Sequence, residues 1–163
     1  MSDDNPRAIL GAWWASEIGA RERSEARALA ARLRRASDIE VLTEPQVHKL
    51  ARRLNRGIEK TPARLAQIVR VLAEVRKSDG RSLARKLGTA ERDRGSAHLR
   101  FQRLVRSEGA DLEQAVRRVL PLVDRACDPG RLGEDLLFWG DKVRSRWAFD
   151  YFGAEAPQED ETA

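Results

Sequence analysis

Proline placed just after a capping residue punctuates this chain, and between these marks apolar residues recur every three or four positions. Asn5-Pro6, Thr61-Pro62 and Asp128-Pro129 each pair an N-cap with proline at the first helical position, and Thr43-Glu44-Pro45-Gln46 has the form of a capping box. The apolar stripes fit helices: Ile9, Leu10, Trp13, Trp14 and Ile18, then Leu65, Ile68, Val69, Leu72 and Val75. No segment alternates with period two for long, so no sheet is predicted. The class is all-α, with eight or nine helices and no solenoid repeat.

Taken in order, Ser24 caps a second helix with Ala26, Leu29, Ala30 and Leu33 inside. Residues 36–43 read as a loop pinned by Ile39, Val41 and Leu42. The turn Ser78-Asp79-Gly80 ends the helix opened at Thr61. A short helix follows, and then residues 88–96, bracketed by glycine and serine, form the most loop-like internal stretch. This divides the chain into an N-terminal helical lobe at 1–88, a linking loop at 89–96 and a C-terminal helical lobe at 97–153. An acidic tail at 154–163 is predicted to be disordered. Pro121 should bend the helix that Asp111 opens. The last two helices carry Leu136, Leu137, Trp139, Trp147 and Tyr151 as anchors. Trp13 and Trp14 read as core.

Charge gives the first indication of function. The chain has 31 Lys and Arg, 26 Asp and Glu, and a formal net charge of +5. Six of the acids, Asp3, Asp4, Glu155, Glu159, Asp160 and Glu161, sit in the two termini; without them 20 acids face 31 bases. A basic body of this kind points to a polyanionic partner. Arginine outnumbers lysine 26 to 5. Codon usage or the bidentate chemistry of guanidinium toward phosphate would each produce that bias, and the composition leaves both open.

From His98 onward the arginines acquire a pattern. Arg100, Arg103 and Arg106 fall close to one helical face, with Leu99, Leu104 and Val105 directed toward a core, and Arg117 and Arg118 follow on the next helix. Such a helix packs on one side and presents guanidinium groups on the other.

Other classes find little support. A single cysteine, Cys127, excludes an intramolecular disulfide framework and supplies too little thiolate for a structural zinc site. His48 has no partner at ligand spacing. There is no acid–base cluster, no phosphate-cradling glycine loop and no cofactor motif, so the chain does not read as an enzyme. No apolar run approaches 18 residues and the N-terminus lacks a signal-peptide core, which gives a cytoplasmic reading without membrane attachment. Besides a nucleic-acid-binding subunit, two alternatives stand: a helical adaptor for an acidic protein, and a DNA-binding regulator. The regulator lacks a clean helix-turn-helix with base-reading Asn or Gln.

Three segments in order, RALAARLRRA at 27–36, LRFQRLVRSEGADLEQAVRRVLPLV at 99–123 and LGEDLLFWGDKVRSRWAFDYF at 132–152, resemble the CasB family. This is the small subunit of the type I-E CRISPR surveillance complex, Cascade; residues 37–60 carry little of the likeness. The resemblance implies an all-α subunit without catalytic activity, present as a pair beside the large subunit and the backbone subunits. It implies partners in guide RNA, target DNA and the displaced single strand, with nuclease activity residing in a separately recruited protein. Matched by pattern, the implied contact residues are Arg34, Arg35, Arg64, Arg100, Arg106, Arg117 and Arg118. Arg92, Arg94 and Arg103 join them from their position on or beside the basic face.

Overall fold

Asn5 caps the first helix, its Oδ1 accepting the Arg7 amide at 2.9 Å. The computed structural model describes residues 5–153; the expected disordered tail lies outside the described residues. Ten α-helices follow in order: α1 Pro6–Glu17, α2 Ser24–Arg35, α3 Asp38–Leu42, α4 Pro45–Leu54, α5 Pro62–Glu74, α6 Leu83–Arg94, α7 His98–Arg106, α8 Gly109–Val119, α9 Pro129–Leu137 and α10 Asp141–Tyr151. The all-α expectation holds, with one addition. A two-residue parallel ladder pairs β1 (Lys77–Ser78) with β2 (Ala126–Cys127). It is too short to leave a period in the sequence.

The caps depart from the sequence reading in instructive places. Residues 36–43 are not a loop, because Ser37 and Glu40 form a reciprocal capping box that nucleates α3. The box expected at Thr43 does not form: Glu44 is the N-cap of α4 and makes no side-chain cap bond, while the Thr43 hydroxyl donates to the Glu40 carbonyl at 2.7 Å. Ser24 is the first residue of α2 rather than its cap. Asp128 does cap α9, accepting the Arg131 amide at 3.1 Å. Pro121 ends α8 instead of bending it, and the chain passes into a 3-10 turn at Leu120–Val123.

The expected linking loop is helical as far as Arg94, and α6 ends at Gly95 with φ +67°. Gly88 is not a loop signal: α10 crosses α6 so closely that a Cβ there would lie 1.8 Å from the Tyr151 carbonyl oxygen. Ser96 does not cap α7. Glu91 does so from the preceding helix, its Oε1 accepting the Ala97 and His98 amides at 2.8 and 2.7 Å.

One apolar core runs from Ile9 to Tyr151. α5 lies at its centre, touching α2, α3, α8 and α9, and α1 packs along α9. Trp13 and Trp14 are buried, as expected. Each still places its indole N–H on a carbonyl, that of Gln46 at 2.8 Å and that of Val75 at 3.1 Å. Among the described residues no helix is long and apolar enough to cross a membrane.

Candidate nucleic-acid interface

The inward face of α7 consists of Phe101 and Leu104, with Val105 half-buried. Phe101 stacks on Tyr151 with ring centroids 3.9 Å apart, which fixes the rotation of the helix. Leu99 does not join them; it is 79% exposed. Helical geometry explains the correction, since Leu99, Arg103 and Arg106 are spaced i, i+4, i+7 and therefore share the outer face. α8 turns Leu112, Ala115, Val116 and Val119 inward. The turn between the two helices is fastened by Trp139 and Arg144, which donate to the Ser107 carbonyl at 3.0 and 3.4 Å.

Between α7 and α8 lies a groove of about 450 Å³, lined by Arg100, Arg103, Ser107, Asp111, Gln114, Ala115 and Arg118. Three guanidiniums from two helices therefore meet in one concavity, accompanied by a hydroxyl, an amide and a single acid. Arg100, Arg103, Arg106 and Arg118 are exposed, and none of them forms an ion pair among the described residues. The sequence reading had no signal for Ser107 and Gln114, which depend on how α7 and α8 pack.

Arg117 behaves differently from its neighbour. Its Nη2 lies 2.8 Å from Glu74 Oε2, its Nη1 lies 3.2 Å from Glu113 Oε2, and Nη2 donates to the Arg34 carbonyl at 2.6 Å. Glu113 in turn accepts Arg70 in bidentate fashion at 2.7 and 2.8 Å, and Asp38 meets Arg70 Nη1 at 2.8 Å. The Glu113 hydrogen bonds above all hold the Arg70 pKa above its ordinary value, against burial. This buried network clamps α3, α5 and α8 together.

The remaining expected residues are scattered. Arg34 is half-buried and its Nη1 donates to the Ala73 carbonyl at 3.4 Å, whereas Arg35 is exposed. Arg64 is exposed, donates to the Leu137 carbonyl at 3.0 Å, and lines a separate cavity of about 200 Å³ with Glu108, Glu113 and Trp139. Arg92 and Arg94 sit on the last turn of α6. Arg92 is exposed and donates to the Thr89 hydroxyl at 3.3 Å.

Groups able to run chemistry are sparse. Cys127 is fully buried, and desolvation pushes its thiol up to about 12. Among the described residues no three His, Cys, Asp or Glu side chains gather as a metal site would require.

Comparison with known proteins converges on one family. The family model for CRISPR-associated protein Cse2 matches residues 29–152. A CRISPR-associated protein Cse2 from Thermus thermophilus is 34% identical over 84 residues. That alignment covers 50% of this chain and 50% of the Thermus protein, so the chain spans about half the length of the curated relative it matches. No solved structure matches the chain. The family match takes in most of the first sequence segment, all of the other two, and nine of the ten helices wholly or in part. On this ground the chain belongs to the CRISPR-associated Cse2 family, the CasB family of the sequence resemblance.

Proposed function

We propose that this chain is the non-catalytic small subunit of a type I-E Cascade complex, working in the cytoplasm in antiviral defence. In this role it holds nucleic acid by the backbone while guide RNA pairs with target DNA. The observation that carries the proposal is the groove in which Arg100, Arg103 and Arg118 converge beside a single acid, Asp111, with none of the three in an ion pair among the described residues. Family membership supports the assembly: a large subunit, backbone subunits and a second copy of the chain.

The physics of the role is simple. Exchange of a DNA duplex for an RNA–DNA duplex is nearly balanced, so a modest preference for the opened strands decides whether the open state persists. Guanidiniums supply such a preference through charge-assisted bonds to phosphate and through counterion release. Base readout is not needed, because the guide already reads the sequence. Arg35, Arg64, Arg92, Arg94 and Arg106 extend the same role along the surface. Arg117 serves it indirectly, by holding α8 against the α2–α5 layer.

Fluorescence anisotropy with single-stranded DNA, single-stranded RNA and duplex DNA tests this reading. The Arg100→Glu/Arg118→Glu variant should lose affinity for single strands by at least about tenfold, since each phosphate contact is worth roughly 1 kcal/mol or more. The loss should be the same for shuffled sequences. Undiminished binding by the variant contradicts the proposal, as does a dependence on base sequence.

A further inference from the structure

A second group of arginines gathers where α2 packs on α5, around a residue that no sequence pattern singled out. Arg27 and Arg34 stand two turns apart on α2 and so share a face. Arg27 Nη1 donates to the Arg21 carbonyl, in the loop that precedes α2. Arg34 Nη1 donates to the Ala73 carbonyl at 3.4 Å, three residues before Arg76. The Trp14 indole donates to the Val75 carbonyl, which brings the end of α1, and with it the Arg21 loop, to the same end of α5.

The guanidinium of Arg21 is incompletely satisfied. Its Nε and Nη2 are closed off from solvent and have no hydrogen-bond partner. Burial and then the charges of Arg76, Arg34 and Arg27 push its pKa below the ordinary value. None of the four arginines forms an ion pair among the described residues. Like charges held together at the edge of a core repel, and a closed-off donor without an acceptor is unfavourable. Codon usage would put arginines in the chain without bringing four of them to one place. A tetrahedral oxyanion answers both deficits, because it brings negative charge and several acceptor oxygens to one point.

We infer that Arg21, Arg27, Arg34 and Arg76 form a second anion site, built to hold one phosphate of a nucleic-acid backbone. The identification of the phosphate as part of a nucleic acid rests on the function proposed above; the anion site rests on the cluster alone. The two basic sites are joined through the fold, since the Arg34 carbonyl accepts from Arg117, the neighbour of Arg118 on α8. A strand held at both would cross the α2–α8 junction.

Arg76→Gln is the variant of choice: the side chain is exposed and has no hydrogen bond or ion pair among the described residues, so the fold survives its loss. Melting temperature is measured in chloride and in inorganic phosphate at equal ionic strength. Phosphate at tenfold its dissociation constant should raise the wild-type melting temperature by about 3–6 °C. It should do the same for the Arg100→Glu/Arg118→Glu variant. Arg76→Gln should melt above the wild type in chloride, because one repelling charge is gone, and should lose the phosphate response. A merely structural role for Arg76 gives the opposite sign in chloride. The slope of log affinity against log salt for single-stranded DNA should fall by about 0.7 in Arg76→Gln, the equivalent of one contact.

A phosphate response that is absent in the wild type, or unchanged in Arg76→Gln, overturns the site. A response lost in Arg76→Gln with an unchanged DNA slope overturns the assignment to a backbone and leaves free phosphate as the ligand. If the wild type binds no oligonucleotide, the proposed function fails, and the melting experiment still decides the anion site by itself.

Discussion

Arg117 and Arg118 are adjacent on α8, yet a rotation of about 100° sends one guanidinium into the Glu74–Glu113 network and the other into the α7–α8 groove. Arg70 represents the inward kind most fully, with bidentate bonds to Glu113 and a third contact to Asp38. Arg70→Ala leaves Glu113 with Arg117 as its one remaining ion-pair partner among the described residues and should lower the unfolding free energy by about 2 kcal/mol or more in urea denaturation. Arg118→Ala should change it by no more than about 0.5 kcal/mol. Equal effects in the two variants would show that the division between structural and free arginines is wrong. The chain order RR carries little trace of that division, because only Glu113, four residues before Arg117, is local, whereas Glu74 lies 43 residues away in sequence. Asp135 is a residue of another sort, a carboxyl only 2% exposed that accepts the Trp147 indole at 2.7 Å and pairs with Arg146. Burial pushes its pKa up to about 6, against the Arg146 charge and the Trp147 bond. In the unfolded chain an aspartate titrates near 4, so between about pH 4 and 6 the native state holds more proton. Its contribution is therefore full below about pH 4 and is lost as pH rises through 6, with a span of about 2–3 kcal/mol. The stability of the wild type minus that of Asp135→Asn should grow as pH falls from 7 to 4.5; a difference that shrinks on acidification would contradict this environment.

At the scale of elements, the helices with apolar stripes and cap-proline starts are legible, whereas stretches between them with the composition of loops fold as helix at Asp38–Leu42 and up to Arg94. Residues 88–96 are rich in glycine, serine and charge, which is the composition of a loop. Gly88 is there because α10 passes against α6 and leaves no room for a Cβ, and a contact between segments 63 residues apart leaves no local signal. Gly88→Ala therefore tests the helix crossing. Alanine is the better helix former by about 1 kcal/mol, yet this substitution should destabilise the fold by about 2 kcal/mol or more, as overpacking does. A stabilised variant in thermal melting would place α6 and α10 further apart. The cap of α7 follows the same logic. Ser96 has the right residue type at the right place, but Glu91 reaches across and takes both amides. Glu91→Ala should cost about 1–2 kcal/mol and speed amide exchange at Ala97 and His98, with no loss of groove arginines. Unchanged exchange at those amides would exclude Glu91 as the cap of α7.

For the whole molecule, the all-α class, the buried tryptophans and the family were readable from the sequence, since each rests on periodicity or on segments that run along the chain. The groove was only half readable. Arg100, Arg103 and Arg106 share a face within one helix, which the period reveals. The arrival of Arg118, Ser107 and Gln114 depends on the packing of α7 on α8, which it does not. The Arg21 cluster was invisible for the same reason, since its members come from a loop, α2 and the end of α5. The central claim is that the unpaired arginines gathered in the α7–α8 groove, rather than the net charge of +5, hold the strand. The most direct measurement is the slope of log affinity against log salt for a single-stranded oligonucleotide, in the wild type and in Arg100→Gln/Arg103→Gln/Arg118→Gln. Three lost phosphate contacts should reduce the slope by about 2, while Arg52→Gln/Arg53→Gln/Arg56→Gln, which removes the same charge at the end of α4, should leave it nearly unchanged. Equal reductions in both variants would mean that overall charge, and not the groove, accounts for binding.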